Sequence, residues 1–236
     1  MPTTVANTAP TASSADKLVE RPLTGRALRE LFVPVLPHLP TGPYPDHILN
    51  HIAVEVRDGA LYLMATDRYT LSVHRRPLEQ PVADFSLTLP AAAVRTLLRT
   101  IAARHQVAIE LTPGGLNLLH HYDRHATPTE HVIRASGAVI VGWRSLLAPY
   151  MDQAPDAPTT LLDPHLLARF AAAPGTTGKR LDVRSYYDVT VITCGDHFFG
   201  AIKPCRSDDR HRDEIEADRT AWRRWTALPD TVPDAA

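Results

Sequence analysis

Gly59-Ala60-Leu61-Tyr62-Leu63-Met64-Ala65-Thr66-Asp67-Arg68-Tyr69-Thr70-Leu71-Ser72-Val73 is the stretch from which the rest of the chain can be read. Leu61, Leu63 and Ala65 alternate with Tyr62, Met64 and Thr66, the period of a strand with one face buried. Thr66-Asp67 then interrupts the run with two short side chains able to hydrogen-bond their own backbone and hold a turn. Tyr69, Leu71 and Val73 resume the alternation. The stretch is two strands meeting at a tight polar corner.

Working outward, the same pattern recurs. Upstream, Thr24 is suited to cap a helix, Leu28, Leu31, Phe32 and Val35 follow at helical spacing, and Pro34 and Pro37 end it. Ile48, Asn50, Ile52, Val54 and Val56 share one face of a strand, and Arg57-Asp58-Gly59 turns it into the corner stretch. Downstream, Phe85, Leu87 and Leu89 alternate as a strand, and Pro90 opens a helix striped by Val94, Leu97, Leu98 and Ile101. Strands over 107–111, 116–120 and 131–135 complete that copy, the first two turning at Pro113-Gly114-Gly115. A third copy starts at Leu161-Leu162. Asp163 caps a helix with Pro164 at its first position, Leu166, Leu167 and Phe170 form the stripe, and strands over 181–184, 188–194 and 197–203 follow. Aligned at the helix starts, Leu23/Leu28/Leu31, Leu89/Val94/Leu97 and Leu162/Leu167/Phe170 share one spacing. A period of about seventy residues is too long for a solenoid and suits a helix-plus-strands module. The chain carries three such modules.

Composition bounds what these modules do. At 236 residues the chain is long enough for one large or two small domains, and a formal charge of −1 excludes a simple polybasic nucleic-acid binder. Lys17, Lys179 and Lys203 are the only lysines, so arginine carries almost all the positive charge. No apolar run reaches the length of a membrane span, there is no signal-peptide layout, and Cys194 and Cys205 read as reduced thiols. These features predict a cytoplasmic protein. Residues 1–20 read as a disordered tail and 207–236 as an extension, within which Ile215, Trp222 and Trp225 lie near one face of a helix. His120, His121, His125 and Asp123 are the one cluster that invites a metal reading, but adjacent strand residues face opposite ways and no second ligand group has suitable spacing. There is no glycine-rich phosphate loop, no Gly-x-Ser-x-Gly and no supported Cys-His pairing. No catalytic residue, cofactor or metal is expected.

The corner string, the repeated module and the ending Gly195-Asp196-His197-Phe198-Phe199-Gly200-Ala201-Ile202-Lys203-Pro204-Cys205-Arg206 together resemble the bacterial DNA sliding clamp, the β subunit of DNA polymerase III. Gly142-Trp143-Arg144-Ser145-Leu146-Leu147-Ala148-Pro149 is similar to the linker after that family's middle domain, without its usual Pro-Asp-Tyr. The resemblance implies an α+β, DNA-clamp-like fold of repeated helix-plus-antiparallel-strands modules, with helices on one face of the sheets. Residues 21–150 then form one complete clamp-like domain with its linker, and 151–206 a half-domain. Its unmet half-domain partner is replaced by the 207–236 extension packed back on the module, or that extension docks on another chain, or a second protomer completes the sheet; a homo-oligomer is expected.

The implied function is a sliding-clamp-like, DNA-binding processivity factor or replication or repair accessory protein, nucleoid-associated, that also docks partner proteins. The family binds double-stranded DNA along its helices, which makes Arg26, Arg29, Arg95, Arg99 and Arg169 the DNA-facing candidates here. Its pocket for short linear motifs of polymerases and repair proteins maps onto Thr66, Arg68, Tyr69, Thr70, Leu71, Leu147, Ala201, Lys203 and Cys205. Clamps usually have Gly, His and Arg where this chain has Arg68, Tyr69 and Thr70, and apolar side chains where it has Ala201, Lys203 and Cys205, so different partners are expected. The alternative is a clamp-derived protein-interaction module that no longer encircles DNA.

Overall fold

The computed structural model describes residues 18–41, 49–121, 127–138, 142–150, 162–173, 180–186 and 188–204, with Ala217 and Thr220 in the extension. Module one comprises β1 (Leu18–Thr24), α1 (Gly25–Phe32), β2 (His51–Arg57), β3 (Ala60–Thr66) and β4 (Thr70–Pro77). Module two repeats the order with β5 (Phe85–Pro90), α2 (Ala91–Thr100), β6 (Gln106–Thr112), β7 (Gly115–His121) and β8 (Thr129–Arg134). After the short helix α3 (Trp143–Leu147), module three supplies α4 (Pro164–Ala168), β9 (Asp182–Ser185), β10 (Thr190–Cys194) and β11 (Phe198–Ile202). The fold is α+β, and among the described residues the pairing is antiparallel throughout, in two sheets ordered β1-β6-β7-β8 and β5-β2-β3-β4-β11-β10-β9.

Modules one and two interlock by exchanging their leading strands. β1 pairs with β6 of module two (Leu23 opposite Val107), and β5 pairs with β2 of module one (Leu89 opposite Ile52). One apolar core fills the space between both sheets and the two helices, with Leu28, Ile52, Leu89, Val94, Val107 and Leu118 fully buried. The helix starts follow the predicted caps: Thr24 Oγ1 accepts from Ala27 N–H at 3.1 Å, and Asp163 Oδ1 accepts from His165 N–H at 2.7 Å. Gly25 is required at the start of α1, because a Cβ there would stand 2.2 Å from the Ala102 carbonyl oxygen.

The larger sheet is made by joining module three to module one. β11 pairs with β4 from Thr70 opposite Ile202 to His74 opposite Phe198. Phe170, Ala173, Ile192, Cys194, Phe198 and Ile202 form module three's own small core. Gly200 sits beneath Phe170, where an added Cβ would come within 2.3 Å of the ring.

Four expectations change. The strand β1 begins at Leu18, so ordered structure reaches into the predicted 1–20 tail; its pairing with β6 outweighs a local sequence with little strand character. Asn50 precedes β2 in a turn instead of sharing its buried face, and Ile48 lies outside the described residues. The strand predicted over 188–194 begins at Thr190. Met64, read as part of an open face, is buried: Leu147 of α3 packs there with Ala53, Met64, Leu71, Val73 and Ala201. Cys194 is a buried thiol, while Cys205, His125, Asp123 and the extension apart from Ala217 and Thr220 lie outside the described residues. Among the described residues no helix is long and apolar enough to cross a membrane.

Candidate functional site

The corner between β3 and β4 is built around Asp67. Its Oδ1 accepts from Tyr69 N–H at 3.0 Å, from Thr70 N–H at 2.7 Å and from the Thr70 hydroxyl at 3.0 Å. The Thr66 hydroxyl donates to the Thr70 carbonyl at 2.7 Å and accepts from Arg68 N–H at 3.2 Å. Arg68 is held at φ 80°, a left-handed conformation that is uncommon outside glycine. Asp67 Oδ2 is taken by the Arg169 guanidinium, reaching over from module three. Burial alone would raise the Asp67 pKa, but the Thr70 N–H, the Arg169 guanidinium and the Tyr69 N–H together hold its carboxyl below the usual carboxylate range.

This network leaves Tyr69 at 60% exposure, lifted clear of the sheet. Beside it, Lys203 N–H donates to the Tyr69 carbonyl at 2.8 Å, and the Lys203 side chain is exposed. Thr66, Arg68, Tyr69, Thr70 and Lys203 therefore come together at one end of the β4–β11 seam. Leu71, Leu147 and Ala201 lie buried in one cluster farther along it. Eight of the nine predicted pocket residues are described, in these two adjoining groups; the ninth, Cys205, is not.

The linker fastens the same seam. Arg144 pairs with Glu55 at 2.6 Å, and its guanidinium lies over the rings of Tyr62 (4.7 Å) and Trp143 (4.3 Å). The Tyr150 hydroxyl donates to Asp188 at 2.8 Å, and the Tyr186 hydroxyl donates to the Tyr150 carbonyl at 2.8 Å. The sequence flagged neither the Arg169–Asp67 nor the Arg144–Glu55 pair, because the partners are 102 and 89 residues apart. A lone charged residue at the end of a strand or helix carries no local sign of a distant partner.

The predicted DNA-facing arginines divide. Arg26 is exposed and pairs with Glu30 across one turn at 3.2 Å. Arg29 is spent on structure: it donates to the Leu98 carbonyl at 2.7 Å and the Ile101 carbonyl at 2.5 Å, capping the end of α2. Arg95 is half-buried and Arg99 exposed, one turn apart on α2. Arg169 does not join them, being held at the corner by Asp67 and Thr70. Arg104, exposed in the loop whose Ala103 carbonyl receives Arg26 N–H, stands close to the start of α1.

Against solved structures, this architecture matches a DNA polymerase sliding clamp from Bacillus subtilis with a TM-score of 0.60 at 12% identity, covering 85% of this chain and 67% of that one. A sliding clamp (DNA polymerase III subunit beta) from Pseudomonas aeruginosa bound to griselimycin matches at 0.58 and 13% identity, covering 83% and 67%. The DNA polymerase III beta subunit from Thermotoga maritima matches at 0.57 and 13% identity, covering 83% and 66%. The chain has the sliding-clamp fold. No protein-family model and no curated protein matches the sequence.

Within this clamp fold two of the four members of the histidine cluster, His120 and His121, are described. His120 on β7 is buried, with His105 Nδ1 2.7 Å from its Nε2 and the His131 ring 5.9 Å away. His121 lies on the opposite face, as strand alternation requires. Burial, followed by the neighbouring His105 and His131, pushes the His120 pKa down, which favours the neutral form of that ring. Among the described residues no group of three histidine, cysteine or carboxylate side chains is placed to hold a metal ion.

Proposed function

We propose that this chain is a non-catalytic, clamp-like accessory protein that holds duplex DNA beside α1 and α2 and receives peptide segments of replication or repair proteins at the β3–β4 corner. The clamp fold, over 85% of the chain in the Bacillus subtilis comparison, is the observation that carries the reading. The side chains available for phosphates are Arg26, Arg95, Arg99 and Arg104, on the helices and the loop between α2 and β6. The corner offers Tyr69, a large exposed ring fixed at its base, beside the exposed Arg68 and Lys203. A ring anchored in this way suits an amphipathic peptide with an acidic residue next to an apolar one.

The test is fluorescence anisotropy with a duplex oligonucleotide at 50 mM salt. Binding is expected, and exchanging Arg26, Arg95, Arg99 and Arg104 for Glu should abolish it. Four phosphate contacts would weaken affinity roughly a hundredfold between 50 and 200 mM salt. No binding at 50 mM would remove DNA from the proposal.

One observation favours the interaction-module reading in that event. Two of the five arginines expected on DNA, Arg29 and Arg169, are consumed by internal contacts, in a chain of formal charge −1. The corner would then be the sole functional surface, and Tyr69→Ala would remove partner capture while leaving the fold unchanged.

A further inference from the structure

Leu147 was expected to line the peptide pocket, and the structure gives it a different part. Its side chain is 3% exposed among Ala53, Met64, Leu71, Val73 and Ala201. Strand alternation puts that cluster on the opposite face of the larger sheet from Val54, Leu63 and Ala65, which pack on the core with α1 and α2. Leu147 therefore fills the apolar part of the groove. The linker helix α3 meets the sheet at one more point. The Arg144 guanidinium pairs with Glu55 Oε2 at 2.6 Å and lies 4.7 Å from the centre of the Tyr62 ring, while Arg57 stands 3.6 Å from Glu55 Oε1. Arg144 and Leu147 are three residues apart, so one face of a single helical turn carries both anchors. Ser145, Leu146, Ala148 and Pro149 are exposed, Leu146 at 56%.

The sequence of α3 does little to make it a helix. It is five residues long, its N-cap Gly142 offers no side-chain bond, and no acid stands in its first turn. Isolated stretches this short are not helical in water, so the two anchor points on the sheet impose the turn. The fit is also incomplete. Arg144 Nη2 is buried and has no hydrogen-bond partner among the described residues. A buried donor in that state costs free energy that a better-satisfied cation in its place would not. Beyond α3, the Tyr150 hydroxyl donates to Asp188 and the Tyr150 carbonyl accepts from the Tyr186 hydroxyl, so the far end of the linker is held separately.

We propose that α3 is an internal stand-in for a partner segment: it closes the groove in the isolated chain, and a partner docks there by displacing it. The displacing segment carries a cation and, three residues later, a leucine or similar apolar side chain. The cation answers Glu55 and Tyr62, and the apolar side chain answers the cluster from Ala53 to Ala201. Leu71 pairs with Ala201 and Thr70 with Ile202, so the groove ends one step short of Tyr69 and Lys203. An acid next to the apolar anchor then reaches the exposed Arg68 and Lys203 at the corner. This deepens the corner reading and rests on it only for the partner being a replication or repair protein. It adds a control, since a segment lacking either anchor leaves α3 in place.

The probe is a fluorescein-labelled peptide of the chain's own Gly142-Trp143-Arg144-Ser145-Leu146-Leu147, titrated by anisotropy against the full chain. Arg144→Ala with Leu147→Ala in the chain removes both anchors of its own α3. That double variant should bind the peptide at least tenfold more tightly than the native chain, whose tethered α3 competes at high local concentration. Arg144→Ala alone, at a half-buried position, should gain part of that binding with an unchanged circular dichroism spectrum. Replacing the peptide's arginine by glutamate or its last leucine by alanine should abolish binding, and Glu55→Gln in the double variant should weaken it at least fivefold. Leu119→Glu, exposed on β7 of the other sheet, should change nothing. If neither variant gains binding over the native chain, or if the gain ignores Glu55 and the peptide's two anchors, the proposal is overturned. No corner residue is varied and no partner protein is used, so that failure leaves the corner reading standing. Failure of Tyr69→Ala to remove partner capture leaves this inference standing in turn.

Discussion

Asp67 gathers two main-chain N–H groups, a hydroxyl and a guanidinium on one carboxylate, and so holds both the β3–β4 corner and the contact to module three. Its side chain is 8% exposed and that of Arg169 19%, so removing either leaves a poorly solvated partner. Asp67→Ala should cost about 3 kcal/mol, read as a lowered urea midpoint, and Arg169→Ala about 2 kcal/mol. The double variant should lose less than the sum, because the two share one interaction. Because the folded Asp67 pKa lies below its unfolded value, the carboxylate's contribution is present above the ordinary carboxyl range. It is lost as pH falls through the folded value. Gly200 gives a second test at this scale. Gly200→Ala should loosen module three, since the new methyl meets the Phe170 ring and the Leu71 carbonyl. Limited proteolysis should then cut the β9–β11 region first and leave modules one and two intact.

The β4–β11 seam is the element on which pH should act. His38 is fully buried with its ring edge-on to Phe170 at 4.5 Å, and burial, then the Arg169 charge, pushes its pKa down to about 4, against a smaller opposing pull from Asp67. His74 on β4 stands across from Phe198, its ring 6.3 Å from that of His197, and burial, then His197 and Arg76, push it down to about 4 as well. Asp196 lies 3.9 Å from His197 and pairs with Arg75. Both folded values lie below the unfolded 6.5, so the unfolded chain takes up these protons first. The contribution of these two histidines should therefore fall as pH drops from about 6.5 to about 4, by roughly 3 kcal/mol for each, with the Asp67 loss following at lower pH. Thermal midpoints at pH 7 and pH 5 measure the drop. His38→Phe and His74→Val should each flatten it, and an unchanged slope in both would place the sensitivity elsewhere.

For the whole molecule, the clamp fold puts α1 and α2 side by side while module three extends the sheet of module one. A duplex held at the helices would engage Arg26, Arg95, Arg99 and Arg104 and leave Arg29 and Arg169 untouched. Arg99→Glu should thus reduce the slope of log affinity against log salt by about 1, whereas Arg169→Ala should weaken the fold and leave that slope unchanged. The pair gives a clean contrast between an arginine on the ligand and an arginine on the frame, with duplex anisotropy across a salt series as the measurement.

The sequence by itself determined the three modules, the polar corner, the Thr24 and Asp163 caps and the strand order within each module. These are set by contacts a few residues apart: alternation decides a face, a short polar side chain caps a helix, and a glycine permits a turn. The bonding of the corner was equally legible, since Thr66, Asp67 and Thr70 bond to one another within five residues. Only the tertiary structure decided which module's leading strand lies beside which sheet, that β4 continues into β11, and that Met64 is covered. It also decided that two of the five arginines are held inside. Strand partners and ion pairs separated by tens of residues are chosen by packing of the whole chain. The periodicity of a strand is the same whichever neighbour it finds, and an arginine looks the same in sequence whether it awaits a phosphate or already holds an aspartate.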